Sequence, residues 1–253
     1  TDANGCLSTR TWTIIEPPAL DVQGSSTQST CGICDGTASI VIAGGTAPYA
    51  VIWTQAGNIV GTGPSLTGRC AGIYVAQVID AQLCEQSIVV PISDVDAEQL
   101  TTVDDVTTCP GDCDGEVNVI FTCSNAPCTI VWFDSAGNDL GGSSGQLSGL
   151  CAGTYFVQVT NGSGCIAIDT AVVAEPDPVI PNLSTTPASC AGVCDATATV
   201  GPTGGQAPYM YLWDPEPLIG QGTPQAEGLC AGTYQVTITD AVGCELVVSV
   251  LIL

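Results

Sequence analysis

The sequence has no histidine, only two basic residues and few aromatic side chains. Without histidine there is no Ser-His-Asp or Cys-His catalytic arrangement and no imidazole ligand for a metal, so we predict that the protein is not an enzyme. The basic residues, Arg10 and Arg69, are outnumbered by 25 acidic residues, which gives a net charge of −23. A chain this acidic is repelled by nucleic acid and by anionic membrane surfaces, so we exclude nucleic acid as a partner.

Long apolar segments are also missing. The sequence contains no run of about 18 apolar residues that could span a membrane. It also does not begin, at Thr1, with the basic and then apolar segments of a signal peptide. We therefore expect a protein that is not inserted in a membrane, with any export signal or anchor outside this sequence. In contrast, cysteine is abundant, with 15 residues. That number is typical of an oxidising extracellular compartment and predicts a secreted protein.

The polar and turn-forming residues predict short strands joined by turns. Charged residues make up 11% of the chain, and there are 30 glycines and 16 prolines. In residues 234–239 apolar and polar side chains alternate, as in a half-buried strand, and turn signals recur about every 8–12 residues. No segment has a helical pattern of apolar residues. The sequence therefore predicts an all-β protein.

The cysteines reveal an internal repeat. Counting from Cys6, the steps to Cys84, Cys165 and Cys244 are 78, 81 and 79 residues. A period near 79 residues is that of one small domain per repeat. The shared motifs are Cys31-Gly-Ile-Cys34-Asp35, Cys109-Pro-Gly-Asp-Cys113-Asp114 and Cys190-Ala-Gly-Val-Cys194-Asp195; a tryptophan 19 residues after the second cysteine; and Cys70-Ala-Gly-Ile-Tyr74, Cys151-Ala-Gly-Thr-Tyr155 and Cys230-Ala-Gly-Thr-Tyr234.

The repeat predicts the domain organisation. Residues 1–18 align with the end of a repeat, and three whole repeats follow: repeat 1 at 19–93, repeat 2 at 98–176 and repeat 3 at 179–253. We therefore expect the sequence to be a fragment of a longer chain. Prolines at the joints fix φ and remove hydrogen-bond donors, which predicts short, semi-rigid connections. Repeats of like charge repel one another, so we predict a linear rod of roughly 110 Å, at about 35–40 Å per repeat.

About seven short strands in fewer than 80 residues predict an immunoglobulin-like β-sandwich in each repeat. The recurrent tryptophan resembles the central core residue of that fold, and the tyrosine after Cys-Ala-Gly resembles its corner tyrosine. In such a sandwich the turn between the first two strands and the approach to the sixth lie at one end, which predicts the disulfides Cys34–Cys70, Cys113–Cys151 and Cys194–Cys230. Cys123 and Cys128, extra in repeat 2, flank one tight loop and should bond each other.

Together these motifs resemble the SprB-type repeat of Bacteroidetes surface proteins, best known from the gliding-motility adhesin. The resemblance covers all three repeats and the leading tail at residues 1–18. Repeat 2 departs from the pattern at Cys123 and Cys128, and repeat 3 at Ala196. It implies export by the type IX secretion system and adhesion to surfaces. The simpler repeats of this family imply that the first and fourth cysteines pair within a repeat, as Cys31–Cys84, Cys109–Cys165 and Cys190–Cys244. Pairing across the joints, as 6–31, 84–109 and 165–190, is the alternative, because sandwich topology places the first and fourth cysteines at opposite ends.

Other sites are weaker candidates. Cys31 and Cys34 resemble a redox pair, but the other repeats have a different spacing, and we predict no cofactor. Asp94, Asp96, Asp104 and Asp105 cluster at the first joint, where converging oxygens could bind Ca²⁺. Ser135 and Thr170 lie in Asp-Ser/Thr-Ala segments, which resemble the O-glycosylation pattern of exported Bacteroidetes proteins.

The predicted function is a non-catalytic stalk segment of a very long secreted cell-surface adhesin, used in gliding or surface attachment. Its predicted partners are the adjacent repeats of the same chain, and the surface, glycan or protein ligand stays unidentified. Two alternatives remain open: a subunit of a self-assembling extracellular filament, with edge strands pairing between chains, and a glycan- or protein-binding repeat module, whose exposed aromatics would lie near a polar loop.

Overall fold

The computed structural model describes residues 18–253, which form strands and turns but no helix. The predicted tail at residues 1–18 lies, except for Pro18, outside the described residues. Within 18–253, no helix is long and apolar enough to cross a membrane.

The strands follow the three repeats. Repeat 1 has β1 (Asp21–Thr27), β2 (Gly36–Ala43), β3 (Ala50–Gln55), β4 (Asn58–Thr62), β5 (Ser65–Arg69), β6 (Gly72–Ile79) and β7 (Glu85–Ile92). Repeat 2 has β8 (Thr101–Val103), β9 (Asp105–Val106), β10 (Gly115–Ile120), β11 (Thr129–Phe133), β12 (Asp139–Gly141), β13 (Gln146–Leu150), β14 (Gly153–Thr160) and β15 (Ile166–Ala174). Repeat 3 has β16 (Leu183–Thr186), β17 (Ala196–Val200), β18 (Met210–Asp214), β19 (Gln225–Leu229), β20 (Gly232–Thr239) and β21 (Glu245–Ile252).

The chain forms two compact units, and the division between them passes through repeat 2. Unit 1 contains the described residues up to Leu100, together with Phe121–Ser143 and Phe156–Asp169. Unit 2 contains Thr101–Ile120, Ser144–Tyr155 and Thr170–Leu253. The domain boundaries at 19–93, 98–176 and 179–253 stay predictions, and so does the linear rod.

In unit 1, repeat 1 is a sandwich of two antiparallel sheets, ordered β1-β2-β5 and β4-β3-β6-β7. Its strands alternate between buried and exposed side chains because successive residues of a strand point to opposite faces. Ala38 and Ile40 of β2 point inward and meet Val78 of β6 in one core cluster. The same unit contains two strands of repeat 2 in antiparallel register, from Thr129 opposite Thr160 to Phe133 opposite Phe156.

The core tryptophan and the corner tyrosine occupy the predicted places in repeat 1. Trp53, on the third strand, is fully buried, and its Nε1 donates a hydrogen bond to the carbonyl oxygen of Gly63 at 2.8 Å. Tyr74 lies near the start of the sixth strand and is 2% exposed. Its hydroxyl donates to the carbonyl oxygen of Cys70 at 2.9 Å, the local contact that defines a tyrosine corner.

Unit 2 repeats this plan in repeat 3, with sheets β16-β17-β19 and β18-β20-β21. Trp213 is buried in the core, and its Nε1 donates to the carbonyl oxygen of Thr223. The unit also contains the sheet β13-β10-β8 of repeat 2 and a short parallel pairing of Val173 with Asp105. The all-β, immunoglobulin-like sandwich predicted from the sequence is therefore confirmed.

Candidate functional site at the junctions between repeats

Four disulfides close loops within single repeats. Cys34–Cys70, Cys113–Cys151 and Cys194–Cys230 join the second and third cysteines of repeats 1, 2 and 3, with sequence separations of 36, 38 and 36 residues. Cys123–Cys128 closes the extra loop of repeat 2. These are the same four pairs that the sequence predicts. Each of the three longer bonds removes roughly 4 kcal/mol of loop-closure entropy from the unfolded chain in the chain-entropy model.

The first and fourth cysteines pair differently from the prediction. The expected bonds Cys31–Cys84, Cys109–Cys165 and Cys190–Cys244 are wrong, because the structure joins Cys31 to Cys165 and Cys109 to Cys244. Cys84 and Cys190 carry free thiols. The cross-joint pairs 84–109 and 165–190 are not formed either, and Cys6, which belongs to the pair 6–31, lies outside the described residues.

The strand register explains why the first and fourth cysteines of one repeat cannot meet. Cys31 lies just before β2 begins. Cys84 follows the end of β6, where Ile79 pairs with Ala50, and Ala50 lies just beyond the other end of β2. The two cysteines are therefore separated by the length of β2, whose 8 residues extend roughly 26 Å. A disulfide requires Cα atoms within about 7 Å, so the bond can form only with another repeat.

The two observed bonds follow one rule: the first cysteine of a repeat bonds the fourth cysteine of the next repeat. Cys31–Cys165 joins repeat 1 to repeat 2 within unit 1, and Cys109–Cys244 joins repeat 2 to repeat 3 within unit 2. Their sequence separations are 134 and 135 residues. With the bonds inside the repeats already formed, the effective loop is about 60 residues, and each bond contributes about 4 kcal/mol in the chain-entropy model.

A carboxylate shapes the loop that holds each first cysteine. Asp35 accepts hydrogen bonds from the backbone amide and the hydroxyl of Thr30, at 2.6 and 2.8 Å. Asp195 accepts from the amide of Ser189 at 2.9 Å, beside Cys190. The backbone hydrogen bond from Thr30 is the main cause that lowers the pKa of Asp35, and the side-chain hydrogen bond from Ser189 does the same for Asp195. Both carboxylates therefore stay ionised at neutral pH and keep these loops in place.

The loop that holds each fourth cysteine is built around an Asp or Asn four residues earlier. Oδ1 of Asp80, Asn161 and Asp240 accepts a hydrogen bond from the amide of the following cysteine at 2.9, 3.1 and 2.9 Å. The residue just before the cysteine has a positive φ, 64° at Leu83 and 84° and 99° at the glycines of repeats 2 and 3. The three loops thus share one conformation, whether or not their cysteine is bonded.

In unit 1 a buried polar network surrounds the Cys31–Cys165 bond. Asp94 is 5% exposed and accepts a hydrogen bond from the hydroxyl of Ser29 at 2.6 Å. Its other oxygen accepts from the amide of Ile166 at 2.8 Å, while its own amide donates to the carbonyl oxygen of Ile166 at 2.8 Å. Ser93 adds a contact by accepting from the amide of Ile168 at 3.0 Å. The end of repeat 1 thereby pairs with the backbone of a repeat 2 strand.

Glu98 makes a second buried contact in unit 1. Its Oε1 accepts hydrogen bonds from the hydroxyl and the amide of Ser124, at 2.7 and 3.1 Å, and from the side-chain amide of Asn161 at 3.4 Å. The hydrogen bond from the Ser124 side chain is the main cause that lowers the pKa of Glu98. The segment after repeat 1 is therefore a bonded part of the junction, although its composition resembles a solvated linker.

An apolar cluster in unit 1 was not predicted from the sequence. Ile73 and Val89, on the outer face of repeat 1, pack with Phe156 of repeat 2 and are each 6–8% exposed. Val75, Phe133 and Ile168 pack around them. The signal was available in β6, where Ile73, Tyr74 and Val75 are apolar on both faces of the strand, as expected when a sheet is covered on both sides.

In unit 2 the acidic residues of the first joint also bond to backbone amides. Asp104 accepts from the amide of Val172 at 2.8 Å, and Asp105 accepts from the amide of Glu116 at 2.7 Å. The amide of Gly111, in the loop after Cys109, donates to the carboxylate of Glu175. Each of these carboxylates therefore holds a neighbouring strand or loop.

The calcium candidates do not form a metal-binding group. Among residues 18–253, no three histidine, cysteine or acidic side chains lie close enough to hold a metal ion. A calcium site would require several converging oxygen ligands.

The two glycosylation candidates are both exposed. Ser135 lies in the turn between β11 and β12, and Thr170 lies on β15, where its carbonyl oxygen accepts a hydrogen bond from Thr102. Glycosylation of either residue stays a prediction.

Comparison with known proteins gives one family match and several immunoglobulin-domain structures. Residues 182–217, in repeat 3, match the family described as "SprB repeat", in agreement with the resemblance found in the sequence. No curated protein sequence matches the chain. A three-domain titin structure, I67–I69 in an E-to-A mutated variant, is 14% identical over 94% of this chain and 99% of that chain, with a TM-score of 0.28. The N-terminal eight Ig domains of Down Syndrome Cell Adhesion Molecule are 11% identical over 94% of this chain and 48% of that chain, with a TM-score of 0.30. The fold assignment rests on the strands described above.

Proposed function

We propose that this chain, which carries an SprB repeat at residues 182–217, is a structural segment of an extracellular cell-surface adhesin. In this role it performs no catalysis. Its task is to give a distant binding region reach and resistance to force, and adhesion itself belongs mainly to other parts of the parent protein. Export by the type IX secretion system and a role in gliding or surface attachment are part of the same proposal and rest on the family resemblance.

The observation that carries the proposal is the pair of overlapping disulfides, Cys31–Cys165 and Cys109–Cys244. Most multidomain chains are joined only by a linker, so that each domain moves and unfolds by itself. Here each junction has a covalent bond besides the backbone, and repeat 2 takes part in both bonds. This arrangement suits a segment that must transmit tension without lengthening.

The charge of the chain supports the same role. A net charge of −23 keeps a long polymer soluble and opposes clumping of its copies. Carboxylates such as Asp35, Asp80 and Asp94 accept hydrogen bonds from backbone amides in the junction loops, so part of this charge is structural.

Immunogold labelling of intact source cells with an antibody against this chain tests the proposal. We expect label outside the cell. In-frame deletion of the codons for repeats 1 to 3 from the parent gene should bring the distal end of the adhesin closer to the cell surface. Label that appears only after lysis would contradict the proposal.

Two further measurements separate the alternatives. Light scattering of the purified chain, with its free thiols alkylated, should give the monomer mass of 25.5 kDa. Regular multi-chain filaments in negative stain would favour the self-assembling filament. Specific retention on a glycan array would favour a glycan-binding module, and we expect none.

A further inference from the structure

The two free thiols occupy positions that are bonded in the other repeats. Cys84 is the fourth cysteine of repeat 1, equivalent to Cys165 and Cys244, and Cys190 is the first cysteine of repeat 3, equivalent to Cys31 and Cys109. By the rule of the two observed bonds, the partner of Cys84 is the first cysteine of a repeat before repeat 1. The partner of Cys190 is the fourth cysteine of a repeat after repeat 3. No other first or fourth cysteine among the described residues lacks a partner.

We propose that Cys84 and Cys190 are the two complementary ends of further inter-repeat disulfides, so that this segment bonds covalently to another repeat of the same type on each side. The partner is defined chemically as the cysteine of a matching first-cysteine or fourth-cysteine loop. Such a repeat can be supplied by the same polypeptide or by a second copy of the chain.

The loop around Cys84 already has the conformation that the bonded fourth cysteines have. Asp80 accepts hydrogen bonds from the amides of Gln82 and Cys84 at 2.8 and 2.9 Å, and its own amide donates to the carbonyl oxygen of Cys84 at 3.0 Å. Asp240 makes the equivalent contacts with Val242 and Cys244 at 3.0, 2.9 and 3.0 Å. The difference between the loops is exposure.

Exposure at the fourth cysteine depends on the partner repeat. Cys165 and Cys244 are 8% and 7% exposed, whereas Cys84 is exposed and stands next to Leu83, which is 79% exposed. A preformed loop that presents a thiol and a large apolar side chain to solvent has the features of an unfilled contact.

The loop around Cys190 is formed in the same way. The amide of Val193 donates to the carbonyl oxygen of Cys190 at 3.1 Å, as the amide of Asp112 donates to that of Cys109 at 3.0 Å in the bonded loop. Asp195 holds the amide of Ser189 at 2.9 Å, as Asp114 holds that of Thr108 at 2.9 Å. No rearrangement is needed before a second thiol can approach.

An exposed apolar face on repeat 3 is a second, independent observation. In unit 1 the outer face of the sheet with β6 and β7 is covered by strands of repeat 2. The corresponding face of repeat 3 exposes Leu212 at 60% and Leu251 at 61%, whereas the equivalent residues of repeat 1, Ile52 and Pro91, are half-buried. A repeat that followed repeat 3 as repeat 2 follows repeat 1 would cover this face and bring its fourth cysteine to Cys190.

The bond-forming step requires an oxidant. The Sγ atoms of two thiols join, and together they give up two protons and two electrons. A small-molecule disulfide such as oxidised glutathione accepts the two electrons and is reduced to two thiols, by successive thiol–disulfide exchange.

The experiment uses the full chain extended after Leu253 by a second copy of residues 94–176. This junction keeps the register of the first, because Ile252 corresponds to Ile92. The extended chain is refolded in a glutathione redox buffer, its thiols are alkylated, and its bonds are mapped after pepsin digestion at acidic pH. We expect Cys190 joined to the added copy of Cys165, while the added copy of Cys109 stays alkylated as an internal control.

The matched variant is Cys190→Ser in the same extended chain, which should leave the added copy of Cys165 alkylated. The proposal would be overturned if Cys190 of the unsubstituted chain were alkylated, or were joined to any other cysteine of the extended chain. The Cys31–Cys165 bond in the same sample shows whether the protein has folded.

A parallel sample of the unextended chain identifies the source of the partner. Multimers linked through Cys190 of one copy and Cys84 of another would show that a second copy can supply the partner repeat. Monomers only, together with the Cys190 bond in the extended chain, would assign the partner to the same polypeptide. The bond map is read without reference to cell-surface location, so its failure is distinct from failure of the proposed function.

Discussion

Stretching single molecules from their ends tests the covalent junctions most directly. A folded chain under tension unfolds until the shortest covalent path between its ends is straight, and disulfides shorten that path. The shortest route runs from the start of the chain to Cys31, across to Cys165, back to Cys151, across to Cys113, back to Cys109 and across to Cys244. This route is about 57 residues long, or about 200 Å at the extended rise per residue.

Removing disulfides should lengthen the chain in unequal steps. The variant with Cys31→Ser and Cys165→Ser should extend from about 200 Å to about 280 Å, because a route of about 80 residues through Cys34–Cys70 and Cys109–Cys244 remains. Replacing Cys109 and Cys244 by serine as well leaves the bonds inside the repeats, and the path grows to about 140 residues, or about 490 Å. Full reduction should release the whole chain, about 870 Å.

The assay is atomic-force or optical-tweezers extension, with the remaining free thiols alkylated, first without and then with reductant. The variant with Cys84→Ser, which removes a free thiol only, should behave as the parent chain does. If the Cys31→Ser, Cys165→Ser variant extended to about 490 Å, the Cys109–Cys244 bond would be absent and the proposed locking would be refuted. An oxidised parent chain that extended to the fully reduced length would refute both bonds.

Substitutions at four positions of repeat 1 test the local contacts by chemical or acid denaturation. Tyr74→Phe, which removes the corner hydrogen bond, should lower the free energy of unfolding by about 1 kcal/mol, and an unchanged stability would contradict a role for that bond. An added Cβ at Gly44 would lie 1.9 Å from a backbone oxygen, whereas nothing lies within 4 Å at Gly57. Both glycines have a positive φ. Gly57→Ala should therefore lower the free energy of unfolding by about 1–2 kcal/mol, and Gly44→Ala should lower it clearly further. Equal losses of stability would argue against the steric explanation. Hydrogen bonds from backbone amides, of which that from Cys84 is the strongest, hold the pKa of Asp80 below its ordinary 3.8. Ionised Asp80 therefore stabilises the fold fully above pH 3.8. This stabilisation is lost as the pH falls through the lower pKa of the folded state. Asp80→Asn should destabilise the protein less than Asp80→Ala does, because Asn161 makes the same Oδ1 contacts in repeat 2. In acid denaturation curves, the Asp80→Asn variant should lack the pH dependence that Asp80 contributes.

The contents of one repeat could be predicted from the sequence because they depend on short-range patterns. Alternating apolar residues place Trp53 and its equivalents in the core, and the tyrosine after Cys-Ala-Gly forms its corner bond four residues away. The pairing of Cys34 with Cys70 follows from sandwich topology, because the two cysteines lie at the same end of one domain. Each of these features is repeated along the chain, so that three copies of the pattern support one another.

The junctions were decided by tertiary structure. Cys31 has potential partners at four sequence positions, and only the placement of a β15 strand end beside the Cys31 loop selects Cys165. The packing of Ile73 and Val89 on Phe156 could not be predicted either, since these outward-facing residues differ from repeat to repeat. In repeat 3, Thr233 stands at the position of Ile73, and Gln235 at that of Phe156. Periodicity specifies which side chains a strand turns inward. The contact between two domains depends on their relative orientation, which is set by a few outward-facing side chains that carry no period.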